Sequence, residues 1–397
     1  MIIGVFLGHL RPTEGGGFTF QESIMQELML TRTDHQFVIF YSGANIFKDH
    51  QEGHFKFVCL PKHFRRSAAI FKRFFSLRNR FIIRLKKKYP KQQTLPFFDW
   101  WVRKFNIELL WLPSPYKMDT DLPYIFTVWD LQHRLQPFFP EVSANRTWSM
   151  REKFFSEATR RAAYVITGTQ AGKKELQQFY GIADERIKLL PHPTPAFALK
   201  YKDEKIPVAL QVPDEFVFYP AQFWAHTNHI TLLKALNYCN RQFNRKINAV
   251  FVGHDYGNKS FIQKNINELG LQDQVFMFDF IGRNDMIALY QQAQVLVYIS
   301  LFGPENLPPL EAMALGCPVI YSNVNGAKEQ LGENVILVDP IDYKLIGNSI
   351  INLIDNGGLR NEMREKGFQC AASYTTKHYI QNMQEIFSEF QLYRNCW

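Results

Sequence analysis

The amino-acid sequence predicts an α/β fold of two doubly wound domains that face each other across a cleft. In the first half of the 397-residue chain, short apolar runs rich in β-forming residues alternate with helical segments. This order is typical of layered domains with a mostly parallel sheet. A proline-rich stretch follows, and the same alternation then starts again. Because parallel sheets bind ligands at the carboxyl ends of their strands, a site between the domains is expected.

The first domain is predicted to cover residues 1–195 and the second domain residues 213–375. Pro191, Pro193 and Pro195 interrupt helix formation between them, so a linker is expected at 196–212. Strands of the first domain are predicted at 2–7, 36–41, 55–60, 109–112, 124–128, 164–167 and 187–190. Strands of the second domain are predicted at 216–219, 249–252, 275–278, 295–299, 318–321 and 335–338. Residues 376–397 are predicted as a separate terminal helix.

The composition indicates an ordinary globular protein, with 46% hydrophobic and 21% charged residues. It excludes the disordered, collagen-like and disulfide-scaffold classes. The five cysteines are scattered and form no CxxC pair, which argues against zinc and for a reducing compartment. The apolar run at residues 1–7 has no preceding basic residues and is predicted as a buried strand rather than a signal peptide. No apolar run approaches the length of about 20 residues that a membrane-spanning helix needs. A cytoplasmic location is therefore expected.

The net charge of +9 is concentrated in one segment. Residues 62–91 contain twelve Lys and Arg and no Asp or Glu, and the rest of the chain carries a net charge of −3. Apolar residues recur through the segment at helical spacing: Ile70, Phe74, Leu77, Phe81 and Leu85. The pattern predicts a basic amphipathic helix.

This basic helix has three interpretations. It can lie on an anionic membrane, where each clustered cation contributes about 1 kcal/mol. It can be a surface helix of the first domain with solvated cations. Nucleic-acid binding is the least favoured, because no nucleic-acid module accompanies the basic run. The membrane interpretation predicts a protein peripheral on the inner face of the membrane. Its predicted membrane patch consists of Arg65, Arg66, Lys72, Arg73, Arg78, Arg84, Lys86, Lys87 and Lys88.

The segment 300–320 carries the clearest chemical pattern. It follows a predicted buried strand and starts a helix near Pro308 and Pro309, where proline suits the first turn. The amides at such a helix N-terminus are expected to face the cleft and to suit phosphate oxygens. Glu311 lies about one turn into the helix, where it can accept hydrogen bonds from a ribose diol.

This segment, together with residues 219–229 and 127–134, resembles the GT-B glycosyltransferases of the family 4, or group 1, type. The glycines at 15–17, residues 165–169 with Lys173, Gly332 and residues 338–340 extend the resemblance over nearly the whole chain. It implies two facing Rossmann-like domains, with the terminal helix crossing back to the first domain.

The resemblance implies retaining transfer of a sugar from a GDP- or UDP-linked donor, without a cofactor or metal. The acceptor would be a saccharide or a lipid-linked saccharide, in surface polysaccharide or glycan synthesis. The implied donor-binding positions are Gly16, Gln222, Thr227, Asn228, His229, Phe280, Ile281, Gly303, Asn306, Leu307, Pro308 and Glu311. Glu311 would hold the ribose, the backbone at 306–308 would approach the diphosphate, and the loop at 280–283 would contact the base.

The chain departs from the family pattern where charge is expected on the donor side of the site. Gly303 stands where the family has the first of two glutamates, and Glu305 either substitutes for it or belongs to a plain turn. Gln222 and Thr227 stand where an Arg and a Lys commonly contact the diphosphate. The neighbouring His226, Asn228 and His229 can donate instead, although Asn228 also suits a helix cap.

A third departure concerns the first domain. Trp129 stands where many members have a histidine that contacts the transferred sugar. Asp130 or His133 is predicted to take over this contact, and the predicted catalytic set is Asp130, His133 and Glu305. A helix cap and a turn histidine are the alternatives for the first two.

These departures leave a second hypothesis open, in which the chain is a nucleotide-sugar-binding or scaffold protein with impaired catalysis. A sugar-nucleotide epimerase or a phosphorylase is disfavoured by the Leu-Pro-Pro-Leu-Glu segment at 307–311. No cofactor-lysine motif of a phosphorylase stands out either.

Overall fold

The computed structural model describes residues 1–10, 15–43, 51–60, 97–116 and 120–396. Within these ranges two sheets form the centres of two α/β domains, which confirms the predicted fold class. The first sheet contains β1 (Ile2–Leu10), β2 (Gln36–Gly43), β3 (Gln51–Glu52), β4 (Phe55–Cys59), β5 (Leu109–Leu112), β6 (Tyr124–Thr127), β7 (Tyr164–Thr167) and β8 (Ile187–Leu189). Its order is β3-β4-β2-β1-β5-β6-β7-β8, and of the described pairs only β3 with β4 is antiparallel.

Helices cover both faces of this sheet, which explains why its inner strands are continuous apolar runs. Every residue of β5, β6 and β7 is buried. Trp111 packs on one face and Leu110 on the other. The helices of the first domain are α1 (Gly16–Leu30), α2 (Phe97–Lys104), α3 (Gln132–Leu135), α4 (Pro140–Ser143), α5 (Thr147–Arg161) and α6 (Gln170–Tyr180). The predicted linker contains a further short helix, α7 (Ala196–Lys200), whose Ala198 is buried in the core of the second domain. Short 3₁₀ turns lie at Ala144–Arg146 and Asp184–Arg186.

The second sheet is parallel in all its described pairs and has the order β11-β10-β9-β12-β13-β14. Its strands are β9 (Val217–Pro220), β10 (Ala249–Val252), β11 (Val275–Phe278), β12 (Val295–Tyr298), β13 (Val319–Ser322) and β14 (Ile336–Val338). Its helices are α8 (His229–Phe243), α9 (Lys259–Glu268), α10 (Arg283–Gln292), α11 (Leu307–Ala314), α12 (Ala327–Leu331), α13 (Tyr343–Asp355) and α14 (Gly357–Ser373). The strand order reverses between β9 and β12, so the loops after these strands open a crevice at the sheet's carboxyl end.

The terminal helix α15 (Thr376–Arg394) lies against the first domain although it follows the second in sequence. The ring of Phe387 meets that of Trp111 at a centroid distance of 5.7 Å. Glu389 accepts a hydrogen bond from the Tyr164 hydroxyl at 2.9 Å and pairs with Lys188 at 2.7 Å. The helix thereby returns the end of the chain to the first domain.

The predicted basic helix and its membrane patch, from Arg65 to Lys88, lie outside the described residues. Among the helices that are described, none is both long and apolar enough to cross a bilayer.

Candidate functional site

A cavity of about 840 Å³ lies between the two domains, at the carboxyl ends of strands from both sheets. The first domain lines it with residues 15–20, with the segment after β6 and with His192 after β8. The second domain lines it with the loops after β9, β10, β11 and β12. This volume and interdomain position are typical of small-molecule sites. We call this cavity the cleft.

A glycine turn of the first domain faces the second domain across the cleft. Gly15 has a φ of 72°, in the left-handed region that favours glycine. A β-carbon on Gly16 would stand 3.5 Å from Leu307, and one on Gly17 would stand 3.1 Å from the ring of Trp129. The missing side chains therefore let the backbone of this turn approach both walls closely.

Glu311 lines the cleft from helix α11 and is only 8% exposed. Its Oε2 accepts a hydrogen bond of 2.7 Å from the hydroxyl of Tyr290. Burial raises the pKa of Glu311 to about 7, against the Tyr290 hydrogen bond and the charge of Arg283, which both lower it. A buried carboxylate fixed in this way is suited to accept hydrogen bonds from a diol.

The N-terminus of α11 offers fewer amides than the sequence pattern predicts. The N–H groups of the cap and the first three positions are those that lack partners within a helix. Here the Asn306 N–H donates to Gln330 Oε1 at 3.0 Å, and Pro308 and Pro309 have no N–H. Of these four positions, only Leu307 therefore keeps a backbone N–H for a ligand. Asn306, Leu307 and Pro308 nevertheless all line the cleft.

Gly303 and Glu305 both line the cleft, but only Glu305 has a polar side chain there. Gly303 has a φ of 129°, and a β-carbon there would overlap the side chain of Asn306. The side chain of Glu305 is 3% exposed, and its Oε1 accepts a hydrogen bond of 2.8 Å from the His192 backbone N–H. Glu305 is thus directed toward the first domain, and burial raises its pKa.

Asp130, a predicted sugar contact, lies on the first-domain wall of the cleft. Its Oδ1 accepts a hydrogen bond of 2.9 Å from the Gln132 N–H and pairs with Arg151 at 2.5 Å. Behind it, Glu175 is buried on α6, and burial followed by the charge of Asp130 raises its pKa to about 7.

His133 does not line the cleft. It is fully buried, stacks on Phe155 and bonds through Nε2 to Glu152 and to the Tyr180 hydroxyl, each at 3.2 Å. The short helix α3 turns its side chain into the domain. Burial lowers the pKa of His133, so its environment favours the neutral ring. The structure therefore makes it a core residue, in place of the predicted sugar contact.

The loop after β9 brings Gln222 to the cleft and leaves Thr227, Asn228 and His229 behind it. The Thr227 hydroxyl donates to the Gln222 and Trp224 carbonyls at 2.9 and 2.8 Å. Asn228 precedes α8 with a φ of 62° and donates to the Ile299 carbonyl at 3.0 Å.

His229 is fully buried, and burial lowers its pKa to about 3. The predicted ligand contacts of Thr227, Asn228 and His229 are therefore replaced by contacts that shape the loop.

Phe280 and Ile281, predicted to contact the base, line the cleft, and Phe280 is 55% exposed. Next to them, Arg283 pairs with Glu22 of the first domain and lies over the ring of Phe197 at 5.2 Å. The paired charges therefore join the two walls.

Two contacts across the domain boundary were not predicted. His226 pairs with Glu141, and the two belong to different domains. Glu329 accepts hydrogen bonds from the amides of Gln170 and Ala171, at the N-terminus of α6. Sequence separations of 85 and about 158 residues give no local signal for these pairs.

The charge of the cleft is balanced within the part of the chain that the structure describes. Both arginines that line it there, Arg151 and Arg283, are paired with carboxylates, and no lysine lines it. Among the same residues, no group of three or more His, Cys, Asp or Glu side chains could hold a metal ion.

The chain is similar to known sugar-transferring proteins over part of its length. It is 24% identical over 222 residues to the O-antigen chain mannosyltransferase RfbU of Salmonella typhimurium, which covers 56% of this chain and 59% of that protein. The match thus spans little more than half of that relative.

Similarity to solved structures extends over nearly the full chain. Sucrose-phosphate synthase from Thermosynechococcus elongatus shares 17% identity and a TM-score of 0.71, with 99% of each chain covered. Anabaena HepE, solved in complex with UDP and glucose, shares 16% identity and a TM-score of 0.66, covering 98% of this chain and all of that one. Residues 201–369 match the family model described as Glycosyl transferases group 1. The second domain is thus similar to the group 1 glycosyltransferases, and the whole chain shares the fold of these solved structures, with two facing α/β domains.

Proposed function

We propose that the protein transfers a sugar from a UDP- or GDP-linked donor to a saccharide acceptor, with retention of configuration and without a metal. The observation that carries the proposal is the position of Glu311. It lies in the cleft, bonded to Tyr290, one turn inside the helix that faces the glycine turn of the other domain.

The second domain supplies the groups that suit the nucleotide. Glu311 would accept hydrogen bonds from the ribose, and Phe280 and Ile281 would contact the base. The diphosphate would lie at the start of α11, near the Leu307 amide and the positive end of the helix dipole. Gln222, across from Gly15, is available as a further donor there.

Retention is consistent with attack by the acceptor hydroxyl on the face from which the phosphate leaves. The bond between the anomeric carbon and the phosphate oxygen breaks while the bond to the acceptor oxygen forms. The acceptor proton moves to the departing phosphate, and the electron pair of the broken bond stays with that phosphate. The helix dipole and the Leu307 amide would stabilise the developing charge.

The acceptor is proposed to be a saccharide, or a lipid-linked saccharide, in surface polysaccharide synthesis. The name of the RfbU relative, an O-antigen chain mannosyltransferase, supports this class. The basic segment 62–91 would hold the protein on the inner face of an anionic membrane. Salt-sensitive binding to anionic vesicles is expected, and equal binding to neutral vesicles would contradict it.

A thermal-shift screen with UDP-, GDP-, ADP- and CMP-sugars tests donor binding. A ligand that binds only the folded protein raises its stability by about 2.7 kcal/mol at a hundredfold excess over Kd. The expected hit is one nucleotide class whose shift disappears in Glu311→Ala. NMR analysis of the product from that donor then shows the anomeric configuration, and inversion would reject the retaining mechanism.

A second candidate is a nucleotide-sugar-binding protein with impaired catalysis. It is favoured by the paired arginines of the cleft and by the single amide left at α11. Binding of a nucleotide sugar without hydrolysis or transfer would support it. Turnover that Glu311→Ala abolishes in a folded protein would exclude it.

A further inference from the structure

His192 is the ionisable first-domain residue of the cleft whose side chain has no hydrogen bond to the described residues. Its Nδ1 lies 3.8 Å from Glu305 Oε2, within ion-pair distance but beyond hydrogen-bond distance. The other ionisable side chains that this domain contributes to the described lining are hydrogen-bonded to a charged partner or to His226: Glu22, Asp130, Glu141 and Arg151. The imidazole therefore keeps its hydrogen-bonding capacity for a ligand.

The backbone holds His192 at a defined place between the domains. Pro191 and Pro193 flank it and restrict its conformation. Its N–H donates to Glu305 of the second domain at 2.8 Å. Two residues later, the Thr194 N–H and hydroxyl donate to the carbonyls of Tyr374 and Ala371, at 2.7 and 2.8 Å.

Aromatic rings hold the imidazole from the first domain. The ring of Phe20 lies at a centroid distance of 5.0 Å and that of Trp129 at 6.3 Å. The side chain of His192 is 14% exposed, and it lines the cleft. The ring thus has little rotational freedom and loses little entropy when it binds a ligand.

We propose that His192 donates or accepts a hydrogen bond with a hydroxyl of the sugar that is transferred, and that Glu305 positions it. The inference rests on the proposed function. Glu305 directly precedes Asn306, the cap of α11, so its bond to His192 brings the imidazole beside the proposed diphosphate site. The sugar extends from the diphosphate toward the first domain, where His192 stands.

The test separates contacts to the sugar from contacts to the nucleotide. Isothermal titration compares UDP with UDP-glucose, and GDP with GDP-mannose, in the wild type and in His192→Phe, which keeps an aromatic ring but loses the hydrogen bond. For whichever ligand pair binds, the uridine or the guanosine one, we expect the affinity for the nucleoside diphosphate to differ by less than about twofold between the wild type and the variant. Affinity for the nucleotide sugar should fall about tenfold and kcat about 10- to 100-fold, as for loss of one hydrogen bond.

The matched control is His378→Ala, an exposed histidine at the start of α15. It should leave both affinities and kcat unchanged. Wild-type values in His192→Phe would overturn the inference, while loss of binding in Glu311→Ala would still support the proposed function. If the wild type binds and turns over no nucleotide sugar, the proposed function fails and the inference fails with it.

Glu305 is tested as a positioning residue by two variants. Glu305→Gln keeps a carbonyl oxygen for the His192 N–H and should retain the wild-type ratio of nucleotide-sugar to nucleoside-diphosphate affinity. Glu305→Ala removes the acceptor and should lower that ratio about tenfold, as His192→Phe does. A merely structural role would lower the Tm in Glu305→Ala and leave the ratio unchanged, which would contradict the assignment.

Discussion

The carboxylate of Glu305, from the second domain, occupies the space that a side chain on Gly168 of the first domain would fill. Gly168 lies between β7 and α6, so the contact joins the loop before α11 to the carboxyl end of β7 in the other sheet. The same carboxylate accepts the His192 N–H. Glu305 thus connects the proposed diphosphate site to two separate loops of the first domain.

Gly168→Ala should displace the Glu305 carboxylate without removing it. We expect a lower apparent Tm in the wild-type background and little further loss in a Glu305→Ala background, because the clash is then gone. The coupling of two contacting residues in such a cycle is about 0.5–3 kcal/mol. Thermal unfolding of the four proteins measures it, and equal losses in both backgrounds would show that the contact does not exist.

Replacing Gly303 by glutamate should not restore the family's paired carboxylates. The φ of 129° and the overlap with Asn306 make a side chain unfavourable there, at about 1–3 kcal/mol for the backbone alone. We expect Gly303→Glu to lower the Tm and to give no gain in turnover.

The matched control is Gly257→Glu, at a φ of 102° with open space around it, which reports the backbone effect without the clash. A more active Gly303→Glu protein would mean that the loop rearranges around the new carboxylate.

Gln222→Arg should strengthen binding of the nucleoside diphosphate, because Gln222 lines a cleft whose described arginines are already paired. A charge-assisted hydrogen bond contributes about 1.5–3 kcal/mol, or about tenfold in Kd at the lower end. Titration calorimetry at low and high salt should show the gain and its screening. Thr227→Lys is the control, since Thr227 is buried behind the cleft and should only lose stability. Equal tightening by both variants would refute the described loop geometry.

Glu175→Gln should stabilise the protein in alkaline solution. The pKa of Glu175 is raised from 4.5 to about 7, so its contribution to stability is present below about pH 4.5 and is lost as the pH rises through about 7. The shift corresponds to about 3 kcal/mol at most. The Tm difference between the variant and the wild type should therefore grow between about pH 5 and pH 8. Glu185→Gln, at an exposed position, is the control, and a flat difference for Glu175→Gln would contradict its burial.

Much of the fold follows from local patterns. The strands at Leu109–Leu112 and Tyr164–Thr167 have the predicted bounds, because short apolar runs in a doubly covered sheet leave few alternatives. The edge strand Gln51–Glu52 was missed, since two polar residues carry no apolar pattern.

The candidate site is less predictable, because side-chain direction depends on tertiary packing. Asp130 and His133 are three residues apart, yet one faces the cleft and the other the core. The bond between His192 and Glu305 depends on how two domains meet, and no local pattern encodes it. By contrast, the sequence alone shows that positions 308 and 309 lack a backbone N–H, because both residues are prolines.

Release of nucleoside diphosphate by the purified protein, from the donor that binds most tightly, is the decisive measurement of sugar transfer. We expect release above background by the wild type and a loss of about 100-fold or more in Glu311→Ala, because the variant lacks the carboxylate that would bind the ribose. Circular dichroism and an unchanged Tm would verify that the variant is folded. Release that is equal in both proteins, or absent with every donor, would contradict the proposed function.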